Sequence, residues 1–69
     1  MIYRAHISDV LPWGFSLRLE AMRIDAINRK ILASGKAWPG LELPRNILPG
    51  HYFTASHNGV SITIHKESI

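Results

Sequence analysis

Asn58-Gly59, set in the middle of "GHYFTASHNGVSITIHK", residues 50–66, constrains this chain more than any other feature. A two-residue type I′ turn needs positive φ at both central positions, and asparagine and glycine tolerate that best, so the stretch is predicted to be a tight β-hairpin. Such a turn also fixes the register. It sets His57 opposite Val60, Ser56 opposite Ser61, Ala55 opposite Ile62, Thr54 opposite Thr63, Phe53 opposite Ile64 and Tyr52 opposite His65. Cross-strand partners share a face, and neighbours along a strand alternate. One face then reads Phe53, Ala55, Val60, Ile62 and Ile64, and must be buried. The other reads Tyr52, Thr54, Ser56, Ser61, Thr63 and His65, a hydroxyl-rich strip that can stand in water. A slip of one residue would invert the two faces, so the pattern pins the pairing.

The hairpin needs something to cover its oily side, and the chain is short. Residues 1–69 are expected to form one small α+β domain. A chain of this length buries only about 60% of the surface its unfolded form exposes. No cysteine is present, which excludes disulfides, thiolate metal sites and cysteine nucleophiles together. Dimerisation is the remaining way to enlarge the core, and a homodimer is expected.

The rest of the chain supplies the covering elements. "MIYRAHI" alternates, with Tyr3, Ala5 and Ile7 on one side, and is predicted to be a half-buried strand. "SDVLPWG" reads as a turn or loop. A helix is predicted from Ser16 to Ser34, with Ser16 as N-cap, Gly35 as the left-handed residue after its end, and a buried stripe of Leu17, Ala21, Ile24, Ile27 or its neighbour Asn28, and Ile31. Asp25 and Arg29 form a favourable i,i+4 pair. Trp38-Pro39-Gly40-Leu41 and Leu48-Pro49-Gly50-His51 both suit type II turns. Between them "LEL" can be at most a short edge strand, because Pro44 has no N–H to give. The expected architecture is one amphipathic helix packed on a small, mainly antiparallel sheet, in the order strand, helix, short strand, hairpin.

Chemistry is sparse. Three of the four histidines, His51, His57 and His65, lie in the hairpin, but alternation puts His51 and His65 on opposite faces, and His51 to His57 spans roughly 20 Å of strand. His6 could join His65 only if the first strand lies alongside. No nucleophile elbow, paired carboxylates or phosphate-cradling glycine loop is present, so no catalytic residue, metal or cofactor is expected. No apolar run is long enough for a signal peptide or a membrane span, and a cytoplasmic location is expected without membrane contact.

Eight basic residues against five acidic ones give a formal charge of +3, a bias rather than a polycation. On the predicted helix Arg18 lines up with Arg29, and Lys30 falls near Arg23, making two ridges that could grip phosphates together with Arg4 or Arg45. Trp13 and Trp38 sit beside prolines and glycines in loops, as lids over a small core or as anchors for a partner. "LPRNILPGHYFTASHNGVSITI" faintly resembles the swapped-hairpin DNA-binding antitoxins of the AbrB type, but too few residues separate Pro44 from Pro49 for the short helix of that family. "GHYF…NGVSITIH" is slightly similar to the small RNA-cleaving toxins of the HicA type, with His51 at the catalytic position and Tyr52 replacing a second histidine. Each likeness covers under a third of the chain, and neither is adopted.

The reading that follows is a non-catalytic binding protein that modulates a larger protein by stoichiometric docking, as small proteins of phages and mobile elements do. Its docking residues would be Tyr52, Thr54, Thr63 and His65 on the strip, together with Trp38 and the adjoining basic helix ridges. Two rivals stand behind it. One is a nucleic-acid-binding regulator or antitoxin using Arg18, Arg23, Arg29 and Lys30 on phosphates. The other is an RNA-cleaving toxin built on His51 or His65 with Tyr52.

Overall fold

The computed structural model describes residues 2–9, 14, 16–35 and 42–68. In chain order these form β1 (Tyr3–Asp9), β2 (Ser16–Ala21), α1 (Ile24–Ser34), β3 (Tyr52–His57) and β4 (Val60–Lys66). The four strands make one sheet in the order β2-β1-β4-β3, antiparallel throughout. The α+β class stands, with one helix on an antiparallel sheet. The element order differs, because a second strand precedes the helix and, among the described residues, no strand lies between the helix and the hairpin.

The helix is therefore shorter than its pattern suggested, 11 residues from Ile24 to Ser34. Ser16–Ala21 is a strand in which Leu17, Leu19 and Ala21 are half-buried while Ser16, Arg18 and Glu20 are exposed. "SLRLEA" satisfies both periods: Leu17 and Ala21 fit a helical stripe running on to Ile24, yet the segment also alternates strictly. A helix would leave Leu19 off the stripe, whereas the strand turns Leu17, Leu19 and Ala21 all toward the core. The tertiary partner decides it, since β1 is a central strand whose second side would otherwise lack backbone partners. Ser16 is accordingly a strand residue. The helix begins instead after Arg23, whose extended backbone makes it the N-cap, without a side-chain cap bond.

From Ile24 onward the helix reading holds. Ile24, Ile27 and Ile31 are buried, Asp25 Oδ2 lies 3.7 Å from the Arg29 guanidinium, and Gly35 closes the helix at φ 73° with its N–H donating to the Leu32 carbonyl. Glycine reaches that left-handed region without the strain a Cβ would add. The helix lies against β2 and β1.

The hairpin forms as its turn dictates. All six predicted pairs, from His57↔Val60 to Tyr52↔His65, are present, with Asn58 at φ 50° and Gly59 at φ 79°. Ile62 and Ile64 are fully buried, and Phe53, Ala55 and Val60 pack partly against them. A second turn agrees as well: the His51 N–H donates to the Leu48 carbonyl at 2.9 Å, with Gly50 at φ 81°. Replacing Gly59 by valine is expected to lower stability by about 1–3 kcal/mol, since a β-branched residue is strained at positive φ. Replacing Asn58 by glycine should be nearly neutral. Urea denaturation monitored by circular dichroism checks both, and an unchanged midpoint for Gly59→Val would contradict the turn.

The core gathers Tyr3, Ala5 and Ile7 of β1, Ile62 and Ile64 of β4, Ile24, Ile27 and Ile31 of α1, and Ile47. Of "LEL", Glu42 and Leu43 carry no regular structure, and Leu41 lies outside the described residues. Instead the segment is tied by Tyr3, whose hydroxyl donates to Asn46 Oδ1 and accepts from the Ile47 N–H. The turn predicted at Trp38-Pro39-Gly40-Leu41 and most of the loop "SDVLPWG" also lie outside the described residues.

Candidate functional site

Covering one face of a sheet leaves the other to solvent, and strand pairing decides what it displays. Reading across β2, β1, β4 and β3, three rows emerge. The first is Glu20, Arg4, His65 and Tyr52; the second is Arg18, His6, Thr63 and Thr54; the third is Ser16, Ser8, Ser61 and Ser56. None of the twelve is buried, and no large aliphatic side chain interrupts the rows. The edge residues are exposed, as are Arg4 and His6 of the central β1, and Ser8, Ser61, Thr63 and His65 are half-buried by their in-plane neighbours, so among the described residues nothing packs over this face.

Each row has its own chemistry. In the first, Arg4 of β1 joins a carboxylate of β2 and one just past the end of β4: its guanidinium lies 3.1 Å from Glu20 Oε1 and 2.6 Å from Glu67 Oε1, and its Nε–H donates to the same Glu67 oxygen at 2.7 Å. The hydrogen bond to Glu67, then the charges of Glu20 and Glu67, push the guanidinium pKa further up, so Arg4 stays cationic at every pH the fold survives. At the other end of the row, the Tyr52 ring stacks on the His65 imidazole with centroids 4.3 Å apart and planes 17° from parallel. Tyr52 is nevertheless 65% exposed. The stack orders a large aromatic surface without hiding it.

In the second row, His6 Nε2 lies 2.8 Å from Ser16 Oγ, which holds the imidazole toward the third row. Its neighbour Arg18 has no ion-pair or hydrogen-bond partner among the described residues. The sheet brings His6 and His65 onto one face of adjacent strands, two residues out of register, as only a β1–β4 pairing could. Both rings are directed elsewhere, His6 to Ser16 and His65 to Tyr52. His51 lies outside this face, beyond the end of β3, where its carbonyl accepts from the Lys66 N–H at 3.2 Å.

The four cations nominated for phosphate binding do not form helical ridges. Arg18 is on β2, which dissolves its alignment with Arg29. Arg23 Nε lies 3.1 Å from Asp25 Oδ1, so Arg23 and Arg29 share one carboxylate. Lys30 reaches back to donate to the Glu20 carbonyl at 2.7 Å. Tyr52, Thr54, Thr63 and His65 do share one face, while Trp38 lies outside the described residues. Sequence reasoning missed Ser8, Ser16 and Glu20 as members of this face. The alternation of "SLRLEA" carried the signal, but the helical period of the following residues masked it.

A cavity of about 630 Å³ opens on the opposite side, between the start of α1 and residues 43–46. Its polar groups are largely bound to one another. Arg23 pairs with Asp25, and Lys66 Nζ donates to Asn46 Oδ1 at 3.1 Å while lying 5.0 Å from the Tyr3 ring centroid. The open face is the better candidate site. Among the described residues, no group of three histidines or carboxylates is placed to hold a metal, and no helix is long and apolar enough to cross a membrane.

No protein-family model, curated protein or solved structure matches the chain.

Proposed function

We propose that the chain is a non-catalytic protein-binding module that docks a larger protein on the open face of its sheet. The observation that carries this is the composition of the face: an exposed Tyr52 braced by His65, an Arg18 without a partner among the described residues, and six serine and threonine hydroxyls in register. Tyrosine and arginine dominate the energetics of protein interfaces, and a face of hydroxyls is adaptable in what it hydrogen-bonds. The stacked ring is held by its neighbour, so less side-chain freedom is lost when a partner closes over it.

Charge separates this from the nucleic-acid reading. Arg4 and Arg18 are balanced on the face by Glu20, with Glu67 alongside, and the helix cations are bound within the chain. A phosphate grip needs several uncommitted cations along one track, and the described part of this face offers Arg18. A nearly neutral, hydroxyl-rich surface suits a folded protein better than a polyanion.

The test is capture by a photo-crosslinking residue placed at Thr63, followed by affinity measurement on the protein identified. Tyr52→Ala should weaken binding by about 30-fold or more, the loss typical of a hot-spot aromatic. The circular dichroism spectrum should not change, because Tyr52 is exposed. Co-purified nucleic acid that dissociates with salt and is lost on Arg18→Gln would replace this reading with the nucleic-acid one.

A further inference from the structure

An open sheet has two edges as well as two faces, and here the edges differ. Strand pairing alternates inward and outward backbone groups. The two-residue turn bonds His57 to Val60, so Phe53 and Ala55 also face β4, and the His51 carbonyl continues that phase by accepting from Lys66. Tyr52, Thr54 and Ser56 therefore turn their N–H and C=O groups away from the sheet. Carrying the alternation across β4 and β1 turns those of Ser16, Arg18 and Glu20 outward on β2.

The β2 edge is guarded. It carries Arg18 and Glu20, and Lys30 caps the outward Glu20 carbonyl. Charged side chains and occupied carbonyls are the usual protection of a sheet edge against strand addition. The β3 edge has none of these: "YFTASH" contains no lysine, arginine, carboxylate or proline, and the outward backbone groups of Tyr52, Thr54 and Ser56 have no partner among the described residues. The core side of β3 is also incompletely covered. Phe53 and Ala55 are half-buried, and α1 lies over β2 and β1 at the far side of the sheet.

We infer that β3 pairs antiparallel with β3 of a second copy about a two-fold axis at Thr54, joining two sheets into one of eight strands. That register uses all three outward residues, with Thr54 facing Thr54 and Tyr52 facing Ser56, and makes about six backbone hydrogen bonds. On the core side it sets Phe53 against Ala55, a large residue beside a small one, twice over. No like charges meet, because the strand has no formal charge. The pairing adds apolar contact where Phe53 and Ala55 are incompletely covered. It also makes the polar faces of two copies continuous. The inference is independent of what that face binds, since it is measured on the isolated chain.

Sedimentation equilibrium of the full chain from about 1 to 300 µM should show a monomer–dimer equilibrium. Thr54→Pro should weaken it at least about tenfold, because the lost N–H points outward and the ring blocks the edge, while the fold tolerates proline there. Should that variant not fold, a charge pair decides the matter. Thr54→Lys places two ammonium groups face to face and should be monomeric, whereas an equimolar mixture with Thr54→Glu should restore the dimer. A wild-type chain that stays monomeric across the series overturns the inference. So does a dimer that Thr54→Pro or Thr54→Lys leaves as tight as before.

Discussion

Replacing Ile62 by alanine is expected to lower stability by about 2–5 kcal/mol, and replacing its neighbour Thr63 by alanine to change it by less than about 1 kcal/mol. The two residues are adjacent in β4 and differ in which way the turn sends them. Ile62 is fully buried, flanked in the sheet by Ile7 and Ala55, and deleting three of its carbons leaves a hole that a helix-backed sheet cannot close. Thr63 lies between His6 and Thr54 on the open face, half-buried by neighbours rather than by core. A domain of this size has roughly 3–10 kcal/mol of total stability, so Ile62→Ala should leave a detectable unfolded population at room temperature. Thermal and urea unfolding of the two variants in parallel settles it. A larger loss from Thr63→Ala would mean that the faces are exchanged, and the proposed docking surface would go with them.

That the faces were legible from sequence follows from how local their determinants are. Asn58-Gly59 permits one tight turn, and the turn propagates its register outward through backbone hydrogen bonds without help from the rest of the chain. The same is true of Gly35 and of Leu48-Pro49-Gly50-His51, where backbone conformation at one or two residues decides the outcome. Ser16–Ala21 obeys a different rule. Its residues are compatible with a helix or a strand, and the choice rests on β1, some ten residues away, having a vacant side to fill. Once the strand wins, Arg18 leaves the helix and joins the open face, which is why the predicted basic ridges vanished while the polar strip gained a second half. The site was thus half visible: β3 and β4 could be placed from their own turn, whereas His6, Arg18 and the serines of β1 and β2 depended on a long-range pairing.

Tyr3 is where the least legible segment meets the core, and its removal is the second large effect expected. Tyr3→Ala should cost about 3–5 kcal/mol, because the ring is buried at the end of β1 and its loss opens an aromatic-sized cavity beside Ile24 and Ile47. Tyr3→Phe separates packing from hydrogen bonding. It keeps the ring and the seat for the Lys66 ammonium, but leaves the buried Ile47 N–H without its acceptor and Asn46 Oδ1 with the Lys66 ammonium as its remaining donor, which should cost about 1–3 kcal/mol. Residues 43–48 have no regular structure, so their backbone groups find few partners of their own, and one phenol hydroxyl replaces the missing ladder. Hydrogen exchange gives the decisive readout. In Tyr3→Phe the Ile47 amide should exchange faster relative to Ile62 and Ile64, whose protection comes from the sheet. If the Ile47 amide keeps its protection and stability is unchanged, the segment is held by the burial of Ile47 and the packing of Leu43 alone, and the hydroxyl is incidental.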